Sequence, residues 1–154
     1  MANGNASLAA ARVASQQALV KNNQLDGNVK CFVSTFTNPA AGGVGIGEYI
    51  SWGFLPQGAR LLPGAKIYFS AGAASSTINL GDPASAARYL AATSVAAAGN
   101  ATAEAQFANG ALTEVDVVAP GQATDKSELR STVAGAALGA NQVLTLVAQY
   151  VSNN

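Results

Sequence analysis

From residue 29 onward the chain alternates short apolar runs with clusters of Gly, Pro and Asn, a pattern typical of short β-strands separated by turns. In the last run, Leu144 and Leu146 would face one side of a sheet, while Val143 and Thr145 face the other. The runs predict eight strands: 29–37, 46–54, 60–70, 75–80, 86–92, 112–119, 127–134 and 142–151. We therefore expect a mainly β fold, an antiparallel β-sandwich or jelly roll of about eight strands.

The connections between these runs carry their own predictions. Pro63-Gly64 predicts a turn or bulge that splits the third run in two. Residues 91–111 contain few large apolar side chains, which predicts a long surface connection. The segment GAALGAN between the last two runs has the length of a hairpin connection.

The first part of the chain has a different pattern, because residues 5–21 are rich in the good helix formers Ala, Leu, Arg and Gln. Its apolar positions on one helix face are Leu8, Ala11, Ala18 and Leu19. That face is mostly methyl groups and would bury little by itself, so it would lean on the main domain or on a neighbouring subunit. The sequence thus predicts a helical or extended arm over residues 1–26 and a β-sandwich domain over residues 27–154.

The largest group of aromatic residues lies in the run 46–54. Strand alternation would place Ile50, Trp52 and Phe54 on one face, as a sandwich core requires. We therefore predict Trp52 as a core aromatic residue. An aromatic platform that binds sugars would look similar in sequence, and this alternative stays open.

The segment Gly81-Asp82-Pro83 predicts a structural turn. Gly81 permits backbone angles that other residues avoid, Asp82 can bond neighbouring amides, and Pro83 interrupts a strand ladder. The four small residues that follow offer nothing to hold a ligand. We interpret the segment as a corner that passes the chain from one sheet to the next, and not as a ligand-binding loop.

Charge and composition exclude several classes of function. Only 10% of the 154 residues are charged, and the eight Lys and Arg balance the eight Asp and Glu. The basic residues are scattered singly, so we expect no nucleic-acid binding. No apolar run reaches the ~20 residues of a membrane-spanning helix, so we expect no membrane contact. The single cysteine, Cys31, lies in the apolar run VKCFVSTF, which predicts a buried thiol.

The residues needed for catalysis are also sparse. Histidine is absent, which removes the commonest general base and the commonest transition-metal ligand. Glu114 and Asp116 would share a strand face, but a hard cation such as calcium needs several more oxygen ligands. We predict no catalytic, cofactor-binding or metal site, and no enzyme activity, and leave a calcium site at this pair open.

Two segments resemble small virion structural proteins of tailed bacteriophages, most of all capsid decoration (cement) proteins. The first is LPQGARLLPGAKIYFSAGAASSTINLGDPASAARYLAA, residues 55–92, with its Leu-Gly-Asp and Arg-Tyr-Leu motifs. The second is ELRSTVAGAALGANQVLTLVAQYVSNN, residues 128–154, which looks like the final hairpin of those proteins. The resemblance covers roughly residues 48–151.

The resemblance implies a β-rich, non-enzymatic protein on the outside of a phage capsid, made in the cytoplasm of the infected host. Its expected partners are the major capsid protein and further copies of itself, as a homotrimer or homodimer. The low charge agrees with this expectation, because the cores of protein interfaces are depleted in charge. One alternative is a carbohydrate- or receptor-binding module of a tail or fibre, using the region of Trp52. A structural protein of the tail or portal is the other alternative that the sequence leaves open.

Overall fold

The computed structural model describes residues 28–104, 114–115 and 125–152, which fold into two antiparallel sheets packed face to face. The strands are β1 (Asn28–Thr37), β2 (Tyr49–Phe54), β3 (Arg60–Leu61), β4 (Lys66–Phe69), β5 (Thr77–Asp82), β6 (Ser85–Ser94), β7 (Gly99–Thr102), β8 (Glu128–Ala134) and β9 (Val143–Ser152). The five-stranded sheet has the order β1-β9-β4-β7, with β3 also paired to β9, and the four-stranded sheet has the order β2-β8-β5-β6. The predicted antiparallel β-sandwich is confirmed, and its jelly-roll variant stays a prediction.

The strands nearest the two ends of the described chain pair with each other. β1 and β9 are antiparallel along their whole length, from Asn28 opposite Ser152 to Thr37 opposite Val143. The predicted final hairpin is wrong, because β8 pairs with β2 and β5 while β9 lies in the other sheet. Both β8 and β9 direct apolar side chains into the core, Leu129 on one and Leu144 on the other. They can therefore lie on opposite sides of the core, and the segment between them crosses from sheet to sheet.

Most predicted strands agree with the structure, and one connection does not. Pro63-Gly64 separates β3 from β4, as expected. The long connection predicted over residues 91–111 is wrong in its first part, since β6 continues to Ser94 and β7 pairs with β4. The small side chains of β7 hid this strand from the pattern, because pairing uses the backbone. Residues 105–113 and 116–124 lie outside the described residues, so the predicted strand 112–119 stays a prediction; of it, Glu114 forms an isolated β-bridge with Arg60.

The core lies between the sheets and consists of aliphatic and aromatic side chains. The largest that are fully buried are Leu61, Ile67, Ile78, Leu80, Tyr89, Leu129, Leu144 and Leu146. At one end, the buried amide of Gln142 connects both sheets. Its Nε2 donates to the carbonyls of Ser70 (3.1 Å) and Val95 (2.9 Å), and its Oε1 accepts from the backbone of Gly139 (3.1 Å). Ser70 follows β4 in one sheet and Val95 follows β6 in the other.

The outward face of β1 corrects the prediction for the cysteine. Cys31 is exposed, because the odd-numbered residues of this strand point away from the core. The core side of the same strand carries Phe32 and Phe36, which are partly buried and pack against the hydrophobic core. An apolar run on an edge strand thus has two apolar faces, and only one of them is covered by the described residues.

The predicted arm over residues 1–26, with its helix at 5–21, lies outside the described residues, so the division into an arm and a domain stays a prediction. The described residues contain no helix. Among them, accordingly, no helix is long and apolar enough to cross a membrane.

Candidate functional site

A β-bulge in β2 decides which aromatic side chains reach the surface. The register between β2 and β8 shifts between Ser51 and Gly53, so that two residues of β2 stand opposite one residue of β8. Gly53 has a φ of 141°, and a Cβ added there would lie 3.0 Å from the ring of Phe32. Glycine therefore fits this position on both counts.

The bulge turns Phe54 to the outside. Regular alternation predicted Phe54 in the core with Ile50 and Trp52. This prediction is wrong, because Phe54 is 60% exposed. It now shares the outer face of the four-stranded sheet with Tyr49, which is 50% exposed. We call this surface the Tyr49–Phe54 patch. It comprises Tyr49, Ser51 and Phe54 on β2 and Glu128 and Arg130 on β8.

Within the patch, the side chains hold one another in place. The guanidinium carbon of Arg130 lies 4.1 Å from the centroid of the Tyr49 ring. Arg130 Nε donates to Glu128 Oε2 at 2.6 Å, and the hydroxyl of Ser51 donates to the other oxygen of Glu128. One face of the tyrosine ring is therefore fixed against a neutralised ion pair, and the exposed ring loses little freedom when it binds a partner.

Trp52 lies under this patch, in the core. It is 4% exposed, and its indole Nε1 donates to Ser131 Oγ at 2.7 Å. A buried and hydrogen-bonded indole offers no face to a sugar ring, so the binding platform considered for the Trp52 region does not involve Trp52 itself.

Gly81, Asp82 and Pro83 lie at a tight hairpin between β5 and β6. Asp82 pairs with Ser85, which leaves Pro83 and Ala84 as the turn. The two strands belong to one sheet, so the interpretation as a corner between sheets is wrong. Gly81 is required by close approach and not by its backbone angles, because a Cβ there would lie 2.1 Å from the carbonyl oxygen of Ser85.

An ion pair between Asp82 and Arg88 stabilises the hairpin. The carboxylate of Asp82 is buried, accepts from the backbone of Ser85 at 2.8 Å, and binds the guanidinium of Arg88. The hydrogen bond to Asp82 raises the pKa of Arg88 above its usual value. These contacts satisfy the carboxylate within the hairpin and give it a structural function.

Tyr89, next to this ion pair, is fully buried in the core. Its hydroxyl has no hydrogen-bond partner among the described residues. Burial, and secondarily the charge of Asp82, raises the pKa of Tyr89 well above its usual value of 10. The phenol is therefore a neutral, unsatisfied group that costs stability.

The carboxylate pair considered for calcium is only half described. Glu114 binds Arg60, with 2.7 Å between Nη2 and Oε2, and Asp116 lies outside the described residues. Within residues 28–104, 114–115 and 125–152, no three acidic or cysteine side chains come close enough together to hold a metal ion.

The sequence contained a signal for the Tyr49–Phe54 patch. An isolated glycine inside a strand pattern indicates a bulge or a close backbone approach, and Gly53 stands between Trp52 and Phe54. Read as a bulge, it would have placed Tyr49 and Phe54 on one face. The partners on β8 carry no such signal, because their register becomes known only from the folded sheet.

Two solved structures contain chains with a similar fold. A chain of the structure described as "Cyanophage Pam1 capsid asymmetric unit" matches with a TM-score of 0.57 and 24% identity, over 81% of this chain and 85% of that chain. A chain of "Capsid of Ralstonia phage GP4" matches with a TM-score of 0.59 and 21% identity, over 82% of this chain and 85% of that chain. At these identities the likeness shows a shared fold. No protein-family model matches the sequence, and no curated protein matches it.

Proposed function

We propose that this chain is a structural protein of a phage virion, which binds the outside of the capsid and stabilises it through protein–protein contacts. The Tyr49–Phe54 patch is the observation that carries the proposal. It is an exposed surface on a β-sandwich, the ring of Tyr49 is held against Arg130, and the charges of Arg130 and Glu128 cancel. The fold shared with chains of two phage capsid structures supports the capsid as its partner. The function is non-enzymatic, and the site of action is the capsid surface after synthesis in the host cytoplasm.

The composition of the patch suits binding to another protein. Interface cores are enriched in aromatic residues and Arg, and the residues that carry most binding energy are often Tyr or Arg. Tyr49 and Arg130 are stacked on each other, and Phe54 adds exposed apolar area beside them. Because Arg130 is already paired with Glu128, burying it leaves no charge without a partner.

Stabilisation of the shell then follows from mass action. A protein that binds the assembled lattice and not its free subunits makes disassembly cost its own binding free energy as well. The partners are the major capsid protein and further copies of this chain, as a homotrimer or homodimer. Self-association multiplies the effect, since linked copies bind neighbouring lattice positions with increased avidity.

A second candidate function is a carbohydrate- or receptor-binding module of a tail or fibre. The exposed ring of Tyr49 beside the polar groups of Ser51 and Glu128 favours it, since sugars stack on aromatic rings and bond to such groups. The two functions differ in partner, and the same variants test both.

The test measures how much purified protein binds to phage heads that lack it. Tyr49→Ala and Phe54→Ala should each weaken binding about 10- to 100-fold, as expected for a central aromatic residue. Tyr68→Ala is the matched control, because Tyr68 is 45% exposed on the outer face of the other sheet. Urea unfolding of each variant checks that the fold is retained.

Three results would count against the proposal. If the unaltered protein does not bind heads, the function is wrong. If Tyr68→Ala weakens binding while Tyr49→Ala and Phe54→Ala do not, the protein binds through another surface. If Tyr49→Ala abolishes binding to a host glycan while binding to heads is unchanged, the carbohydrate-binding function replaces the structural one.

A further inference from the structure

The outer face of the five-stranded sheet carries an uncharged surface that the described residues leave uncovered. Val29 and Val33 on β1 are 64% and 62% exposed, although valine is normally a core residue. We call this surface the β1–β9 strip. It consists of exposed or half-buried side chains that pair across the two strands: Val29, Cys31, Val33, Thr35 and Thr37 on β1, and Val143, Thr145, Val147 and Gln149 on β9.

The β1–β9 strip has the chemistry of a surface that becomes buried. It contains no charge, and most of its side chains are short and branched at Cβ; Gln149, opposite Cys31, is its one long polar side chain. Its central hydroxyls satisfy each other, since Thr35 Oγ1 and Thr145 Oγ1 lie 3.0 Å apart and hydrogen-bond. Apart from the amide of Gln149, covering the strip would therefore leave little polar surface unsatisfied. The Tyr49–Phe54 patch differs from it in carrying large rings and an ion pair.

The chain itself contains a segment that fits the strip. Residues 1–27 join the sheet at Asn28, the first residue of β1, and so emerge at one corner of this face. The pattern of residues 5–21 predicts a helix whose apolar side is mostly methyl groups, with Leu8 and Leu19 as its larger members. Small side chains allow a helix to lie close to a flat sheet surface, and such a sheet face and helix face each require a partner.

We propose that residues 5–21 form a helix that lies across the β1–β9 strip of the same chain and covers it. Such a helix is about 25 Å long, and a ten-residue strand such as β1 is about 33 Å long. Only residues 22–27 separate this segment from β1 in the sequence, and so short a separation gives the segment an effective concentration in the millimolar range at its own sheet. This favours the chain's own segment over one from a second copy. The proposal is independent of the capsid function.

Cys31 provides the test, because it is the only cysteine and lies within the strip between Val29 and Val33. Its rate of reaction with a small aromatic disulfide reagent is measured in the full-length protein. The covering helix should slow this reaction about tenfold relative to the full-length variant Leu19→Asp, in which a charge faces the strip. Gln17→Asp is the matched control, because it introduces the same residue on the opposite side of the helix and should leave the rate slow.

Further measurements separate the remaining outcomes. Protection of Cys31 should be independent of protein concentration between about 1 and 100 μM, because the contact lies within one chain. Protection that appears only at high concentration would assign the cover to a second copy and overturn the proposal. Equal rates for the unaltered protein, Leu19→Asp and Gln17→Asp would also overturn it. Trp52 emission, unchanged in all three proteins, would establish that the β-sandwich is folded.

Discussion

Gln142 offers the sharpest test of how the two sheets are held together at one end. Gln142→Leu keeps the volume of the side chain and removes its three hydrogen bonds, to the backbone of Gly139, Ser70 and Val95. The Val95 bond is fully buried and the other two are partly buried. The variant thus leaves the carbonyl of Val95 with no partner among the described residues, and it leaves two further groups that water reaches only in part.

The magnitude follows from this burial. The fully buried carbonyl should cost about 2 kcal/mol and the partly buried groups about 0.5–1 kcal/mol each, a total near 3–4 kcal/mol. Burying the leucine offsets about 1–1.5 kcal/mol of this. We therefore expect the free energy of unfolding to fall by about 2 kcal/mol, which moves the urea midpoint by about 1 M.

The assay is urea unfolding followed by the fluorescence of Trp52, the only tryptophan. Asn100→Leu is the matched control, since it also replaces an amide by leucine and the side chain of Asn100 lies exposed on β7; it should change stability by less than about 0.5 kcal/mol. If the two variants have the same midpoint and the same m-value, the amide of Gln142 contributes nothing net, and the reasoning about its buried bonds is refuted.

Two further variants test groups inside the sandwich. Tyr89→Phe should raise the free energy of unfolding by about 1 kcal/mol in the same assay, because it removes the unsatisfied hydroxyl; a loss of stability would mean that the hydroxyl has a partner. The raised pKa of Tyr89 means that the unfolded chain loses this proton first, so stability should fall as the pH rises above 10, and Tyr89→Phe should reduce that fall between about pH 8 and pH 11. Gly53→Ala should cost about 2 kcal/mol and weaken head binding, because of its φ of 141° and the contact with Phe32. Gly45→Ala, at a position without positive φ, should stay within about 0.5 kcal/mol of the unaltered protein, and equal losses for the two would contradict the role of the bulge.

The sequence predicted the sandwich because its longer strands carry strong local signals. β1 and β9 alternate or run apolar over ten residues, and Pro63-Gly64 separates two short strands in the manner that proline in a strand requires. β7 was missed because it pairs through its backbone and carries only small side chains. The alternation of apolar and polar residues indicates which side chains are buried. A strand that buries few large side chains therefore cannot be recognised from this pattern.

Sheet membership could not be predicted in the same way. Alternation shows which residues of β8 and β9 face the core, but it is the same for two neighbours in one sheet and for two strands on opposite sides of the core. For the same reason the hairpin at Pro83 was interpreted as a corner. Cys31 was misplaced because an edge strand has apolar residues on both faces, and the sequence does not indicate which strands lie at an edge.

The Tyr49–Phe54 patch depends on one residue that breaks the pattern. Without Gly53, alternation places Tyr49 and Phe54 on opposite faces of β2, and the exposed pair does not exist. Its support by Arg130 and Glu128 comes from a strand some 80 residues further along the chain, which the folded register brings opposite β2. Local patterns thus predicted the core better than they predicted the surface.

The pairing of Asn28 with Ser152 has a mechanical consequence. The described chain enters and leaves the sandwich at the same corner, and ten residue pairs of the β1–β9 ladder run away from it. Tension applied through Asn28 and Ser152 would break the hydrogen bonds between β1 and β9 one after another. Tension between one end and the far side of the sheet would act along the strands, perpendicular to the hydrogen bonds. All of the hydrogen bonds between β1 and β9 would then carry the force at the same time. The sandwich should therefore resist a larger force when it is held at one end and at the far side of the sheet than when it is held at both ends. Single-molecule pulling experiments with these two pairs of attachment points would measure the difference.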